Sequence, residues 1–392
     1  MLSMCKKKPP LAHWEGMFMN ILIFYASYGG GHLNAAKSIH EYIVKHYKEN
    51  HLELIDCMKY VNKTVEKVTT ATYREVAKKV PWVWGRIYND SQKGPLAHLS
   101  TRSNKIMAIK LLRLLREKKP DLIISTHPFS SQMCSYLKRK GKITAKIATI
   151  MTDFAPHDQW LVGSDFTDCF FVANDKMKDY LVSTHIPSDK VFVTGIPLSN
   201  RFLQSYDRKK VLASFGLEDD KKNILFFGGG EFGIGKSKTF HIFESLMKAS
   251  KDMQIIAIAG KNEKMKARFD EIVEKNKATK RVKVLSFTNQ IPELMSISDL
   301  VVTKPGGMTT TESLASELPM IIINPIPGQE EENAEFLENK GVGIWLKKND
   351  NALKVFNDLF SDPNQLHEMK KNTLLIGHPN STKDICEILL AK

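Results

Sequence analysis

VVTKPGGMTTTESLASELPMIIINPIPGQEEENA, residues 301–334, is the stretch that decides the fold of this chain. A β-branched run ends at the turn 304–307, a helix-compatible stretch follows to Glu317, and a second apolar run occupies Met320–Ile323 after Pro319. A strand, a glycine turn, a helix and a strand in this order predict a βαβ unit of a parallel sheet. Glycines in such a turn let backbone N–H groups approach an anion, and the helix dipole favours negative charge there. The stretch therefore predicts a phosphate-binding site.

The chain has 392 residues, which is longer than one ordinary domain. Its hydrophobic content of 42% is enough to form two cores. It contains no uninterrupted apolar run near the roughly 18 to 20 residues that span a bilayer. The first ten residues, MLSMCKKKPP, lack the apolar segment of a secretory signal. Five cysteines are scattered without a CxxC spacing, which argues against a disulfide framework or a zinc site and favours a reducing cytoplasm.

The net charge of +14 is concentrated in one segment. Residues 59–119 contain fifteen Lys and Arg against four acidic residues. A basic surface of this kind attracts nucleic acid or anionic lipid, and its alternative is a solvated face without a partner. No RNA-binding or helix-turn-helix signature accompanies the charge, so a nucleic-acid partner is less favoured than anionic lipid.

Two tryptophans lie within this basic segment, Trp82 and Trp84, next to Lys78, Lys79 and Arg86. Aromatic residues beside cations are typical of proteins that grip the headgroup layer of a membrane. The alternative is that the two tryptophans fill a core between helices. We expect a membrane-binding surface here.

A second glycine turn follows the first predicted strand, Asn20–Ala26. The sequence SYGGGH ends at His32, and apolar residues then recur at three- and four-residue spacing, which predicts a helix packed on the sheet. The turn lacks both GxGxxG and the P-loop GKS or GKT, so neither a dinucleotide nor an ATP site is favoured. A loop used only for tight packing is the alternative.

Polar residues follow two further predicted strands of this half. Asp121–Thr126 ends at His127, and Ile143–Met151 ends shortly before Asp153 and His157. An open α/β sheet keeps its ligands at the carboxyl ends of its strands, so these side chains and the histidine of the glycine turn could face one cleft. For each residue taken alone, a loop position without a catalytic part is the alternative.

A new α/β series begins after residue 200, with the predicted strand Asn223–Phe227 and five glycines among residues 228–235. These glycines again indicate backbone brought close to phosphate. Two similar α/β halves with glycine turns facing a shared cleft make a bilobal transferase plausible, although the pattern does not say which one. We expect a disordered leader at 1–16, an acceptor- and membrane-binding domain at 17–200, a donor domain at 201–375, and a last helix at 376–392 that packs back on the first domain.

Four motifs carry a resemblance to a known family. GGGHLNAAKSIHEYI at 29–43, TDFAPHDQW at 152–160, VTGIPLSNRF at 193–202 and the TKPGG stretch at 303–334 occur in this order. Together they resemble the processive diacylglycerol glucosyltransferases of Gram-positive bacteria and the plant monogalactosyldiacylglycerol synthases, and more distantly the peptidoglycan lipid-II N-acetylglucosaminyltransferase. The resemblance implies a GT-B fold of two Rossmann-like domains, a UDP-sugar donor in the second, a lipid acceptor at the first, and metal-independent inverting transfer without a cofactor.

The resemblance also assigns donor-binding residues. Glu312 matches the acid that holds the ribose hydroxyls, although Thr309 and Glu312 also have the spacing of a capping box, in which the glutamate only satisfies its own helix. Gln329 and Glu330 match the pair that binds the sugar hydroxyls, with acidic residues at a helix start as the alternative. The remaining donor-binding matches are Gly229, Gly230, Gly306 and Gly307 at the diphosphate, and Phe287 and Thr288 at the uracil.

Transfer requires a base for the acceptor hydroxyl and stabilisation of the leaving UDP. His32 is the first candidate for the base and Asp153 the second. The plant relatives carry an acid two residues before the glycines, where this chain has Ser27, so that acid is not available. No Asp-x-Asp motif flanked by strands is evident, which agrees with helix dipoles in place of a metal. The expected acceptor and membrane residues are Gly30, Gly31, His127, Lys78, Lys79, Trp82, Trp84 and Arg86.

We therefore expect a peripheral enzyme on the cytoplasmic face of the membrane. It would move a hexose, with glucose favoured, from a UDP-sugar to diacylglycerol or to glycosyl-diacylglycerol, and bind anionic lipids but no nucleic acid. Transfer of galactose or N-acetylglucosamine to a lipid remains open, as do a UDP-sugar epimerase and a noncatalytic nucleotide-binding regulator on the same scaffold.

Overall fold

The computed structural model describes residues 18–27, 30–61, 95–229 and 236–390. These residues form two α/β lobes, each built on a six-stranded sheet in which every observed strand pair is parallel. The apolar strands are mostly buried, as parallel strands covered by helices on both faces must be.

The first lobe has the strand order β2-β1-β3-β4-β5-β6. Its strands are β1 Asn20–Tyr25, β2 His51–Asp56, β3 Leu122–Ser125, β4 Lys146–Ile150, β5 Cys169–Val172 and β6 Val191–Val193. Its helices are α1 Gly31–His46, α2 Cys57–Val61, α3 Pro95–Lys118, α4 Pro128–Arg139 and α5 Asp175–Ser183. Because β1 and β3 are parallel neighbours, the chain leaves both at the same edge of the sheet, where His32 lies in the first turn of α1 and His127 caps α4.

The second lobe has the strand order β12-β11-β10-β7-β8-β9. Its strands are β7 Asn223–Phe227, β8 Gln254–Ile258, β9 Val282–Leu285, β10 Leu300–Thr303, β11 Met320–Ile322 and β12 Gly343–Trp345. Its helices are α6 Arg208–Phe215, α7 Lys236–Ala249, α8 Glu263–Lys275, α9 Ile291–Ser296, α10 Gly307–Ala315, α11 Gln329–Asn339, α12 Ala352–Ser361 and α13 Pro363–Ile376. Helices α12 and α13 are separated at Asp362, which adopts an extended conformation and caps α13.

The βαβ unit expected from the opening stretch is β10–α10–β11. Val301 pairs with Met320 in the parallel register that such a unit requires. Helix α10 begins at Gly307 after Gly306 in an extended conformation, and it ends at Ala315, two residues before Glu317 adopts a φ of 56°. The glycine turn therefore lies at the carboxyl edge of the second sheet.

The last helix, α14 Ser381–Leu390, packs on the first lobe. Ile385 is fully buried there in one cluster with Ile21 and Ile39. The Ser381 hydroxyl donates to the Ile196 carbonyl at 2.7 Å, which ties the returning chain to the segment that leaves the first lobe. The two lobes are therefore connected twice.

None of the helices in the described part of the chain is both long and apolar enough to cross a bilayer.

Candidate active site where the two lobes meet

His32 lies in the first turn of α1 with one ring nitrogen held by backbone. Its Nδ1 is 2.6 Å from the carbonyl oxygen of Thr126 and 3.0 Å from the hydroxyl of Thr152. A carbonyl oxygen can only accept, so Nδ1 carries the proton and the neutral ring presents an unprotonated Nε2. Burial lowers the pKa of His32, while the charge of Asp153 and the bond to Thr126 raise it in part. The ring can therefore accept a proton at Nε2 near neutral pH.

His127 lies against His32 but has a different role. The two ring centroids are 4.6 Å apart in an edge-on arrangement. His127 is the N-cap residue of α4, and its Nδ1 accepts the backbone N–H of Phe129 at 3.2 Å. Burial and the neighbouring histidines lower its pKa well below the usual value. A neutral His127 leaves His32 without an adjacent positive charge from this side.

Asp153 is buried beside these rings, with 5% of its surface exposed. Its Oδ2 lies 3.6 Å from Nε2 of His157 and accepts no hydrogen bond from any residue that the structure describes. This buried oxygen is free of donors from the described part of the chain and is available to accept a hydrogen bond. Asp153 is therefore positioned to influence the charge on His32 and to accept a hydroxyl.

The two lobes touch at the glycine turn of the second lobe. A Cβ built on Gly307 would lie 2.0 Å from the backbone carbonyl oxygen of Thr152. A Cβ on Gly31 would lie 3.4 Å from Cγ of Met308. The N-termini of α1 and α10 thus face each other across the cleft, and only glycine at 307 allows the approach.

A half-buried cation and a half-buried acid lie beside this turn. Oε2 of Glu330 accepts the backbone N–H of Ile326 at 2.7 Å, and its Oε1 would be 3.7 Å from a Cβ on Gly306. Burial lowers the pKa of Lys304, and the Glu330 charge raises it in part. Cε of Lys304 would be 3.9 Å from a Cβ on Gly229, which has a φ of 94°. The N-terminus of α10 and this ammonium group together favour a diphosphate.

Glu312 is positioned differently from a capping residue. Helix α10 begins at Gly307, which places Glu312 in the second turn and leaves Thr309 inside the helix. The capping-box alternative is therefore wrong. Burial raises the pKa of Glu312 to about 8. Such a carboxyl group is poised to exchange its proton for hydroxyl donors of a ligand.

The segment after strand β9 carries an exposed aromatic ring. Phe287 has 64% of its surface exposed, and Nζ of Lys261 lies 5.2 Å from its ring centroid. Thr288 accepts the backbone N–H of Gln290 through its hydroxyl at 3.1 Å. Gln329 is the first residue of α11, directly after Gly328. An exposed aromatic ring offers a stacking surface for a base.

The described part of the chain brings together His32, His127, Asp153, Gly31, Gly306, Gly307 and Glu330, with Gly30 at the N-cap of α1. Gly230, Lys78, Lys79, Trp82, Trp84 and Arg86 lie outside the described residues. Thr152, Lys304 and Asn333 were missed by sequence reasoning, because their contacts are with distant parts of the chain. Within the ranges described, no cluster of His, Cys, Asp or Glu has the makings of a metal site.

Comparison with known families divides the chain at the same place as the two lobes. Residues 32–198 match the monogalactosyldiacylglycerol (MGDG) synthase family, and residues 207–374 match glycosyl transferases group 1. A processive diacylglycerol β-glucosyltransferase from Staphylococcus epidermidis is 31% identical over 373 residues, which cover 94% of this chain and 92% of that protein. The enzyme of the same name from Bacillus subtilis is 30% identical over 94% of both chains.

Solved structures with the same architecture include MurG and a UDP-GlcNAc 2-epimerase. MurG from Acinetobacter baumannii has a TM-score of 0.64 at 15% identity, covering 95% of this chain and 99% of its own. The UDP-GlcNAc 2-epimerase from Neisseria meningitidis, solved with UDP-GlcNAc bound, has a TM-score of 0.62 at 17% identity and covers 95% and 100%. At these identities the likeness establishes the fold alone, and the expected GT-B architecture is confirmed.

Proposed function

Because this chain belongs to the family of processive diacylglycerol β-glucosyltransferases, we propose that it transfers glucose from UDP-glucose to the free hydroxyl of diacylglycerol. The observation that carries the proposal is the 31% identity to such an enzyme over 92% of that enzyme's length. The site supports it, because the cleft has a base candidate on the first lobe and an anion-binding helix start on the second.

The chemistry we propose is a single displacement. The acceptor hydroxyl oxygen attacks C1 of the glucose, the bond from C1 to the UDP oxygen breaks, and the hydroxyl proton passes to Nε2 of His32. Negative charge grows on the leaving diphosphate, where the N–H groups at the start of α10 and the Lys304 ammonium stabilise it. Attack opposite the leaving group inverts the α-linked donor to a β-linked product.

Donor recognition would use Glu312 on the ribose, Phe287 and Thr288 at the uracil, and Gln329 with Glu330 on the hexose. Paired donors and acceptors suit the hydroxyls of a sugar, since each hydroxyl both donates and accepts. Gly229, Gly230 and Gly306 would let backbone approach the diphosphate. Gly307 has a second role, because its missing Cβ is what admits the Thr152 carbonyl.

We expect UDP binding at pH 7 to release a proton from Glu312. Its pKa of about 8 in the empty site falls when ribose hydroxyls donate to the carboxylate, so UDP affinity should rise as pH increases towards 8. Calorimetry in buffers of different ionisation enthalpy measures the released proton. The Glu312→Gln variant should lose this release and the matching part of the pH dependence; equal proton release from both proteins would remove Glu312 from the ribose site.

We further propose that the enzyme acts at the cytoplasmic face of the membrane as a peripheral protein. Residues 59–119 contain fifteen basic and four acidic residues with aromatic residues among them, and this composition supports the proposal. Each basic residue near an anionic surface contributes about 1 kcal/mol, so replacing Lys78, Lys79 and Arg86 by alanine should weaken vesicle binding roughly a hundredfold. Sedimentation with phosphatidylglycerol vesicles measures this, and protease added outside intact cells should leave the protein uncut.

The contrary outcome for the membrane proposal is equally direct. Should the triple variant sediment like the unchanged protein, the basic segment is a solvated face. Cleavage by the external protease would place the enzyme on the other side of the membrane.

The test of the proposed reaction is incubation of the full chain with UDP-glucose and diacylglycerol, followed by lipid extraction. A glucosyl-diacylglycerol is expected, and a diglucosyl product would indicate repeated addition. UDP-galactose and UDP-N-acetylglucosamine in competition test the choice of sugar. Formation of an isomeric UDP-sugar without lipid would indicate an epimerase, and nucleotide binding without any product would indicate a regulator.

A further inference from the structure

Asn333, on α11, is 1% exposed and bonds to backbone on both lobes. Its Oδ1 accepts the N–H of Phe154 in the first lobe at 3.1 Å. Its Nδ2 donates to the carbonyl of Pro305 in the second lobe at 3.0 Å. One planar side chain thus joins two backbone segments that lie about 150 residues apart in sequence.

In the proposed reaction these two segments lie beside the base and the diphosphate. Phe154 lies two residues after Thr152, whose hydroxyl is 3.0 Å from Nδ1 of His32. Pro305 precedes Gly306 and the start of α10 at Gly307. The Asn333 amide therefore fixes the loop beside the base relative to the turn that faces the diphosphate.

The contact between Gly307 and Thr152 belongs to the same interface between the lobes. The rings of Phe154 and Phe336 also meet there with centroids 5.7 Å apart. Only an amide supplies one acceptor and one donor in the geometry observed. A carboxylate would present an acceptor to the Pro305 carbonyl, and an aliphatic side chain would leave both buried backbone groups without their partner.

We propose that Asn333 is a positioning residue for the transfer reaction, which holds the two lobes closed so that His32 meets the sugar at the correct distance. The inference rests on the proposed function. Asn333 acts through the loop of Thr152 and the glycine turn, and a misplacement of about 1 Å between reacting groups can lower a rate about a hundredfold.

The Asn333→Ala variant should lower turnover about a hundredfold and leave UDP affinity within about threefold, because Asn333 bonds to Phe154 and Pro305 and not to the residues proposed to hold the nucleoside. Opening of the cleft hydrates His32 and should raise its pKa towards the ordinary histidine value of about 6.5. The acid limb of the pH–rate profile should move up with it. A variant that was merely less folded would lose activity equally at every pH. Asn339→Ala, in the exposed last turn of the same helix, is the matched control and should behave like the unchanged enzyme.

The separation of the lobes can be measured directly. Spin labels at Glu41→Cys and Glu274→Cys, one exposed position on each lobe, report the distance when Cys5 is replaced by serine, since the other cysteines are buried. Asn333→Ala should lengthen or broaden the distance distribution. An unchanged distance distribution would overturn the proposal whatever the turnover, as would a loss of turnover of the same size at every pH.

If the alanine variant does not fold, Asn333→Asp keeps the acceptor for Phe154 and removes the donor to Pro305. It should lose about tenfold in turnover, and full turnover would overturn the proposal. Failure of the proposed function gives a different result. The unchanged protein would then make no glycolipid, but the spin-label distances of the unchanged protein and of Asn333→Ala could still be compared to show whether Asn333 holds the lobes together.

Discussion

Replacing His32 by alanine should lower turnover by a factor of about 10² to 10⁴, the range that a positioned base contributes. Its Nδ1–H is held by the Thr126 carbonyl, so Nε2 is the nitrogen that would take the proton of the acceptor hydroxyl in the proposed reaction. UDP affinity should stay unchanged, because the histidine belongs to the first lobe. Steady-state transfer of glucose to diacylglycerol, with UDP calorimetry alongside, measures both quantities.

The control for this prediction is His40→Ala on the same helix, which should retain full activity. The pH–rate profile adds a second check. Burial lowers the pKa of His32, so turnover should be flat near pH 7 and fall only below about 6.5, as the imidazole becomes protonated. Near-normal turnover of His32→Ala would clear the residue of the base role.

Asp153 separates the two candidates for the base. Its negative charge raises the pKa of His32, so Asp153→Asn should move the acid limb of the profile to lower pH while activity at pH 7 largely remains. If Asp153→Asn is inactive at every pH and His32→Ala is active, the carboxylate is the base instead.

Gly307→Ala should lower transfer about a hundredfold or more, equivalent to about 2.7 kcal/mol of activation free energy. The added Cβ would lie 2.0 Å from the Thr152 carbonyl oxygen, a backbone atom that cannot move aside alone, so the lobes must separate. Because this Cβ points at the first lobe, UDP affinity should change less than about threefold. Transfer assays and UDP calorimetry on the same preparation measure the difference.

Gly306→Ala is the matched comparison for this substitution. Its Cβ would meet only Oε1 of Glu330, at an ordinary 3.7 Å, so the empty protein should accept it. Any loss should therefore appear in UDP affinity, through the diphosphate. Equal effects of the two substitutions on UDP affinity and transfer would show that Gly307 has no special place between the lobes.

The local pattern of the chain was sufficient to predict the βαβ unit, because strand, turn and helix signals all lie within one short segment. The start of α10 at Gly307 and the pairing of Val301 with Met320 follow from that pattern. The family resemblance came from four motifs, of which the last, at 303–334, is specific enough to indicate the family alone. Periodicity and composition describe a two-lobed α/β protein and do not distinguish a transferase from an epimerase.

The contacts across the cleft were not predictable from local signals. Asn333 sits among acidic residues at a helix start, where a solvated position is the ordinary expectation, yet it is buried and bonded to both lobes. Thr152 gains its role from a residue more than a hundred positions away. Lys304 gains its role from the folded glycine turn. The capping-box interpretation of Glu312 was wrong for a related reason, because the position of the capping residue depends on where the helix begins.

The anomeric configuration of the product tests the central claim most directly, namely that a base on the first lobe drives one displacement at the start of α10. The full chain is incubated with UDP-glucose and diacylglycerol vesicles, and the glycolipid is examined by proton NMR at C1. A β-linked glucose, with the large coupling of two axial protons, is the result predicted. An α-linked product, or no glycolipid from a folded protein that binds UDP, would contradict the account.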